Sequence, residues 1–140
     1  MEALMKFILK RGGQFKCHWS NYDGRCGTDK NPLQTYNFLC QIETSDHLDK
    51  NGFIVDQLDV NETFQKLFYP DAHPAKSCEL IALTAVHKIY DLILNTSAKG
   101  IKIYRIAVSI SVPTPPGVIG EAAITAVWEI TKKRNENNWA

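Results

Sequence analysis

At 140 residues, with 44% hydrophobic and 22% charged residues, the chain has the size and balance of one globular domain with a sizeable core. A net charge of +1 offers no basic surface for nucleic acid, and no apolar run approaches the roughly 20 residues of a membrane span. Met1 to Lys6 carries Glu2 and no long apolar stretch, so it does not read as a secretion signal, and a cytoplasmic location is expected. The cysteines Cys17, Cys26, Cys40 and Cys78 are scattered without a Cys-x-x-Cys pair. They read as free thiols, not as a disulfide framework or a zinc knuckle.

Met5 to Trp19 reads as an extended segment, broken or bulged at Gly12-Gly13, and Ser20 to Pro32 as a polar loop. From Leu33 to Glu43 apolar and polar residues alternate. Tyr36, Phe38, Cys40 and Ile42 share one face, which predicts a half-buried strand, with Leu39 on the polar side. Asp49-Lys50-Asn51-Gly52 signals a tight turn before a short extended run, Phe53 to Val55. Val60, Phe64, Leu67 and Phe68 have helical spacing, with Asp59 the candidate N-cap and Tyr69-Pro70 the terminator. A stronger helix is predicted from about Ser77 to about Leu94. Its apolar stripe runs from Leu80 and Ile81 through Leu83, Ala85, Ile89 and Tyr90 to Ile93, wide enough to require a sheet beneath it. Ala98-Lys99-Gly100 ends it. Two alternating strands follow, Tyr104 to Val112 and Ile124 to Ile130, across the turn-rich stretch Pro113 to Gly120.

The expected fold is therefore α+β, in the order strand-strand-helix-helix-strand-strand. It consists of one four-stranded antiparallel sheet with both helices on one face, a single domain over residues 1–131 with a polar tail at 132–140. The other sheet face carries small and polar groups such as Ala107, Ser109, Ser111 and Thr125. A face without helices, together with outer strands in need of partners, predicts a homo-oligomer.

Several short motifs, in this order and spacing, carry a resemblance. They are Phe15-Lys16-Cys17-His18, Arg25-Cys26-Gly27, Asn51-Gly52-Phe53-Ile54-Val55-Asp56 and Ser77-Cys78-Glu79-Leu80-Ile81-Ala82. Over roughly Phe15 to Ile130 the chain resembles the 6-pyruvoyl-tetrahydropterin synthase and 6-carboxy-tetrahydropterin synthase family. That resemblance implies the tunnelling fold, in which subunits join their sheets into a barrel. Family members hold zinc with three histidines, move protons with a cysteine and an Asp-His pair, and grip the pterin ring with a glutamate.

Carried over residue by residue, much of that machinery is missing. His18 matches the first zinc ligand, but Gln34 and Tyr36 replace the other two, so no zinc or other cofactor is expected. His47, His73 and His87 have no ligand spacing of their own. Cys26 has the flanking residues of the catalytic cysteine but is displaced by an insertion at Thr28 to Pro32; a loop cysteine without a role is the alternative. Asp71 and His73 are either a remnant of the proton relay or ordinary loop residues. The ring-gripping glutamate falls on Pro113, and Glu121 across the turn is the acid that could reach back. Glu79 either takes a ring N–H or favours the helix N-terminus through its dipole.

The expectation is a divergent family member binding a pterin, purine or nucleotide-like heterocycle at a subunit interface, without the zinc chemistry. Ser77, Cys78, Glu79, Asn37 and Glu121 are the candidate ligand-binding residues, and Cys26, Asp71 and His73 the catalytic candidates. A metal-independent enzyme on the same class of substrate, with an acid-base group drawn from Cys26, His18 or His73, is one alternative. A structural oligomer without a ligand is the other. Neither nucleic acid nor a membrane is an expected partner.

Overall fold

The computed structural model describes residues 5–18, 33–67, 77–112 and 122–130, with His18 placed through its backbone. The elements are β1 (Lys6–His18), β2 (Leu33–Ser45), α1 (Gln57–Gln65), α2 (Cys78–Thr96), β3 (Ile103–Ser111) and β4 (Ala123–Glu129). The four strands form one antiparallel sheet in the order β1-β2-β3-β4, so β1 and β4 are its edges.

Side-chain alternation divides the sheet into two faces. On one lie Phe15, the even-numbered residues Tyr36 to Thr44, and Ile106, Val108 and Ile110, all buried. Both helices cover this face. Phe64 of α1 stacks on Phe38 with ring centroids 3.9 Å apart, and Tyr90 of α2 meets Trp128 of β4 edge-on at 5.0 Å. Ile81, Ala82, Ala85, Val86, Ile89 and Ile93 form the buried stripe of α2. Leu80 and Leu83, expected within it, are about half exposed, because helix rotation commits the adjacent Ile81 and Ala82 to the sheet.

Among the described residues the other face has no helix. Cross-strand pairs run across it: Lys6–Glu43 at 3.0 Å, Glu43–Arg105 at 3.6 Å and Arg105–Glu129 at 3.9 Å link all four strands. Gln14 donates to Asn37 at 2.8 Å, and the Ser109 and Thr125 hydroxyls lie 2.7 Å apart. Leu39 is exposed on this face while the small Ala107 is buried.

Two local expectations need correcting. Pairing along β1 is unbroken from Lys6↔Ser45 to His18↔Leu33, so Gly12 and Gly13 make no bulge; the register shift lies at Glu43/Thr44, between β2 and β3. Gly13 answers to packing instead, since a Cβ there would sit 2.9 Å from the Phe38 ring. The N-cap of α1 is Asp56, not Asp59: the Asp56 carboxylate accepts from Leu58 N–H at 2.9 Å, and Asp59 lies in the first turn. Both aspartates precede apolar residues at helical spacing, so pattern alone does not separate them. The short run Phe53 to Val55 joins no sheet ladder, and the Ile54 carbonyl accepts from the Ser97 hydroxyl at the end of α2.

The tight turn forms as expected. Asp49 accepts from Asn51 N–H and Phe53 N–H through its carboxylate, and Gly52 takes the left-handed conformation at φ 85° that favours glycine. The first helix ends at Gln65; Tyr69-Pro70 and residues 132–140 lie outside the described residues.

Candidate functional site

The end of β1, the start of β2 and the start of α2 come together at one end of the sheet. Ser77 caps α2 in extended conformation, its hydroxyl accepting from Leu80 N–H at 3.1 Å. Cys78 is half-buried against the core, and Glu79 is exposed in the first helical turn. Beneath them, β1 and β2 pair Phe15 with Tyr36 and Cys17 with Gln34, which puts Cys17, Gln34 and Tyr36 on the helix-covered face. His18 pairs with Leu33, one residue out of step with Gln34 and Tyr36. Gln34 donates its side-chain amide to its neighbour's carbonyl, Thr35 O, at 3.1 Å.

The chemistry of this cluster is that of neutral groups. Burial, with Cys78 nearby, pushes the Cys17 thiol from an ordinary value of 9.0 up to about 11. Burial and then Glu79 raise Cys78, while burial together with Cys17 and Cys78 raises the Tyr36 phenol. All three carry their protons at neutral pH, so they are hydrogen-bonding groups and not nucleophiles or bases. Cys17 and Cys78 should therefore react with iodoacetamide at pH 7.5 more slowly than an unhindered thiol, by about tenfold or more. Mass mapping of the alkylated peptides checks this. Because the unfolded chain ionises its thiols near pH 9 while folded Cys17 holds its proton to about 11, the unfolded state binds fewer protons in that window. Stability is then full below about pH 9 and falls as the pH rises towards 11, as thermal melts across that range will register.

The structure brings Ser77, Cys78 and Glu79 together but not Asn37. Although next to Tyr36 in sequence, Asn37 lies on the open face, paired with Gln14. Cys26, Asp71, His73 and Glu121 lie outside the described residues. His87 is exposed on α2, and His47 shares a 3.0 Å hydrogen bond with the Ser45 hydroxyl. No group of three or more metal-ligating side chains occurs among the described residues. Cys17 and Tyr36 as neighbours of Cys78 were missed by the motif reading; pairing the two strands residue by residue is the signal that reveals them.

Two surface grooves lie elsewhere. One of about 530 Å³ runs between α1 and α2, lined by Asp59, Glu62, Lys88 and Asp91 among others. One of about 310 Å³ lies along β1, where Phe7 and Leu9 face Leu48, Phe53 and Val55. No helix among the described residues is long and apolar enough to cross a membrane.

No family model matches the chain, and neither does any curated protein. Solved structures do. The 6-pyruvoyl tetrahydropterin synthase of Caenorhabditis elegans superimposes with a TM-score of 0.52 at 14% identity, covering 94% of this chain and 100% of that one. The Plasmodium falciparum enzyme of the same name gives a TM-score of 0.50 at 13% identity, covering 89% and 99%. The chain thus has the fold of these synthases across nearly its whole length.

Proposed function

We propose that this protein is a divergent relative of the 6-pyruvoyl tetrahydropterin synthases that binds a small nitrogen heterocycle (a pterin, purine or nucleotide-like compound) where copies of the chain meet. The observation that carries this reading is the polar cluster at the start of α2, set on a sheet whose fold resembles that of those synthases over nearly the whole chain. Glu79 supplies an exposed carboxylate that can accept the paired N–H groups of such a ring, and Cys78 a neutral donor beside it. The helix N-terminus adds backbone N–H groups pointing the same way.

The residues do not fit the zinc site of the resembled family. Tyr36 is a buried, neutral phenol and Gln34 an uncharged amide, where that family has imidazoles. Cys17 and Cys78, protonated at neutral pH, serve as neutral hydrogen-bonding groups beside Tyr36. The ligand mismatch at Gln34 and Tyr36 supports binding over zinc-dependent synthase chemistry, so no reaction step is assigned. The uncovered face and the free edges β1 and β4 support a homo-oligomer.

Native mass spectrometry of freshly purified protein, followed by the mass of whatever denaturation releases, tests the reading. An oligomer that releases a heterocycle, with no stoichiometric zinc, is expected. Titration with a pterin and with a guanine nucleoside follows, and Glu79→Gln should weaken binding about tenfold or more, the loss of a charge-assisted hydrogen bond. Absence of binding by either compound at millimolar concentration defeats the ligand-binding reading. Stoichiometric zinc reinstates a synthase-like site.

A further inference from the structure

Tyr36 is only 4% exposed, and its ring stacks on Phe15 with centroids 5.5 Å apart. Its hydroxyl makes no hydrogen bond among the described residues. Nor is that oxygen sealed in the core, since among the described residues only Arg11 Nε is both buried and unpartnered. The buried ring therefore ends in an open hydroxyl. A buried tyrosine ordinarily finds a partner for this group.

Strand register sets that hydroxyl among other donors. Cys17 lies two residues beyond Phe15 on the same face, and Cys78 opens α2 above them. Burial, then the neighbouring Cys17 and Cys78 thiols, keeps the phenol protonated, so all three side chains can donate. At the helix start the Ser77 hydroxyl oxygen takes the Leu80 N–H and the Ser77 carbonyl takes the Ile81 N–H. The Cys78 and Glu79 N–H groups are left without an acceptor among the described residues. A helix N-terminus by itself invites an anion, but the Glu79 carboxylate already stands in this first turn. A second negative charge would lose its water against Phe15, Tyr36 and two neutral thiols. The described residues at this end of the two strands offer one lysine or arginine, Lys16, and it pairs with Thr35 on the other face.

We infer that the inner end of this site takes an uncharged carbonyl oxygen of the ligand, and that the Tyr36 hydroxyl is the donor that selects it. The inference rests on the heterocycle-binding reading and adds the class of ligand. That ligand is a ring held by its N–H edge at Glu79, with a keto or amide substituent at its far end in place of a carboxylate or phosphate. The mismatch with the resembled zinc site thereby gains a role. Where that family has a metal-binding imidazole, this chain has a phenol that meets the ligand directly.

The test is calorimetric titration of the full chain, with EDTA present so that no metal supplies the contact. The probes are 6-acetylpterin, 6-ethylpterin and pterin-6-carboxylate. The first two share a carbon frame and differ in the oxygen; the first and third share a planar shape and differ in charge. The unsubstituted chain should bind the acetyl compound about three- to tenfold more tightly than the ethyl one, the worth of one neutral hydrogen bond. It should bind the carboxylate about tenfold or more weakly than the acetyl compound. Tyr36→Phe should bring acetyl and ethyl level by weakening acetyl alone. The melting temperature of that variant should not fall, because the hydroxyl has no protein partner to lose. A carboxylate bound as tightly as the ketone overturns the uncharged subsite, and this order is read on the unsubstituted chain whether or not the variant folds. An acetyl advantage that survives Tyr36→Phe assigns the oxygen to another donor and leaves the heterocycle reading standing. Binding of pterin itself but of none of the three probes sinks this inference alone; binding of no pterin at millimolar concentration sinks both.

Discussion

Phe64→Ala is expected to destabilise the fold by about 3–5 kcal/mol, the usual cost of emptying a buried phenylalanine site. Phe64 is fully buried and is the side chain through which α1 grips the sheet. It stacks on Phe38 at 3.9 Å with ring planes 6° apart and lies 6.1 Å from Phe15. Val60, the other buried residue of α1, is one turn away and too short to fill the gap. Against a total stability of about 5–15 kcal/mol, the loss removes a large share, and the melting temperature should fall by roughly 10–15 °C. Chemical denaturation should show a lower midpoint with an unchanged slope. A shift of less than about 3 °C would show that α1 is held by something other than this aromatic stack.

Gly13→Ala is expected to cost about 1–3 kcal/mol, although a glycine-to-alanine change in an extended strand ordinarily helps. Two effects oppose each other. The added methyl restricts the unfolded chain, which stabilises by about 0.4–1 kcal/mol. The same methyl would lie 2.9 Å from two carbons of the Phe38 ring, closer than carbon atoms approach without displacement. That ring is pinned between Phe64 and Phe15, so it has nowhere to retreat, and the steric term decides the sign. The clash and the pinning residue can be separated by a double-mutant cycle. In a Phe38→Leu background, where the ring is gone, Gly13→Ala should become neutral or mildly stabilising, with a coupling energy of about 1 kcal/mol or more. Equal penalties in both backgrounds would place the cost in the strand backbone and not in the ring contact.

The Phe38, Phe64 and Gly13 contact shows how far the sequence carries. The alternation of Tyr36, Phe38, Cys40 and Ile42 marks a buried strand face, and the spacing of Val60 and Phe64 marks a helix face. Nothing local says that the two phenylalanines meet each other, or that Gly13 leaves room for one of them. Gly12-Gly13 therefore looks like a bulge in sequence and proves to be a close approach in space.

The site divides in the same way. Ser77, Cys78 and Glu79 adjoin in the chain, so their shared location at a helix start is legible from spacing alone. Asn37 lies beside Tyr36 in sequence, yet strand alternation sends the two to opposite faces of the sheet. Cys17 stands in the Phe15-Lys16-Cys17-His18 motif without an assigned role, and it enters the cluster because the register sets it opposite Gln34, under the start of α2.

The sequence by itself determined the α+β class, the order of six elements, the buried face of β2 and the start of the longer helix near Ser77. These follow from periodicity and from hydrogen bonds made within a few residues, which depend on neighbours in the chain. Only the tertiary structure decided the β1-β2-β3-β4 order, the cross-strand ion pairs of the open face, the pinned Phe38 ring and the neutral thiol pair beside Tyr36. Those depend on strand register and helix docking, which bring together residues dozens of positions apart. A single residue of register changes every such contact while leaving the local pattern untouched.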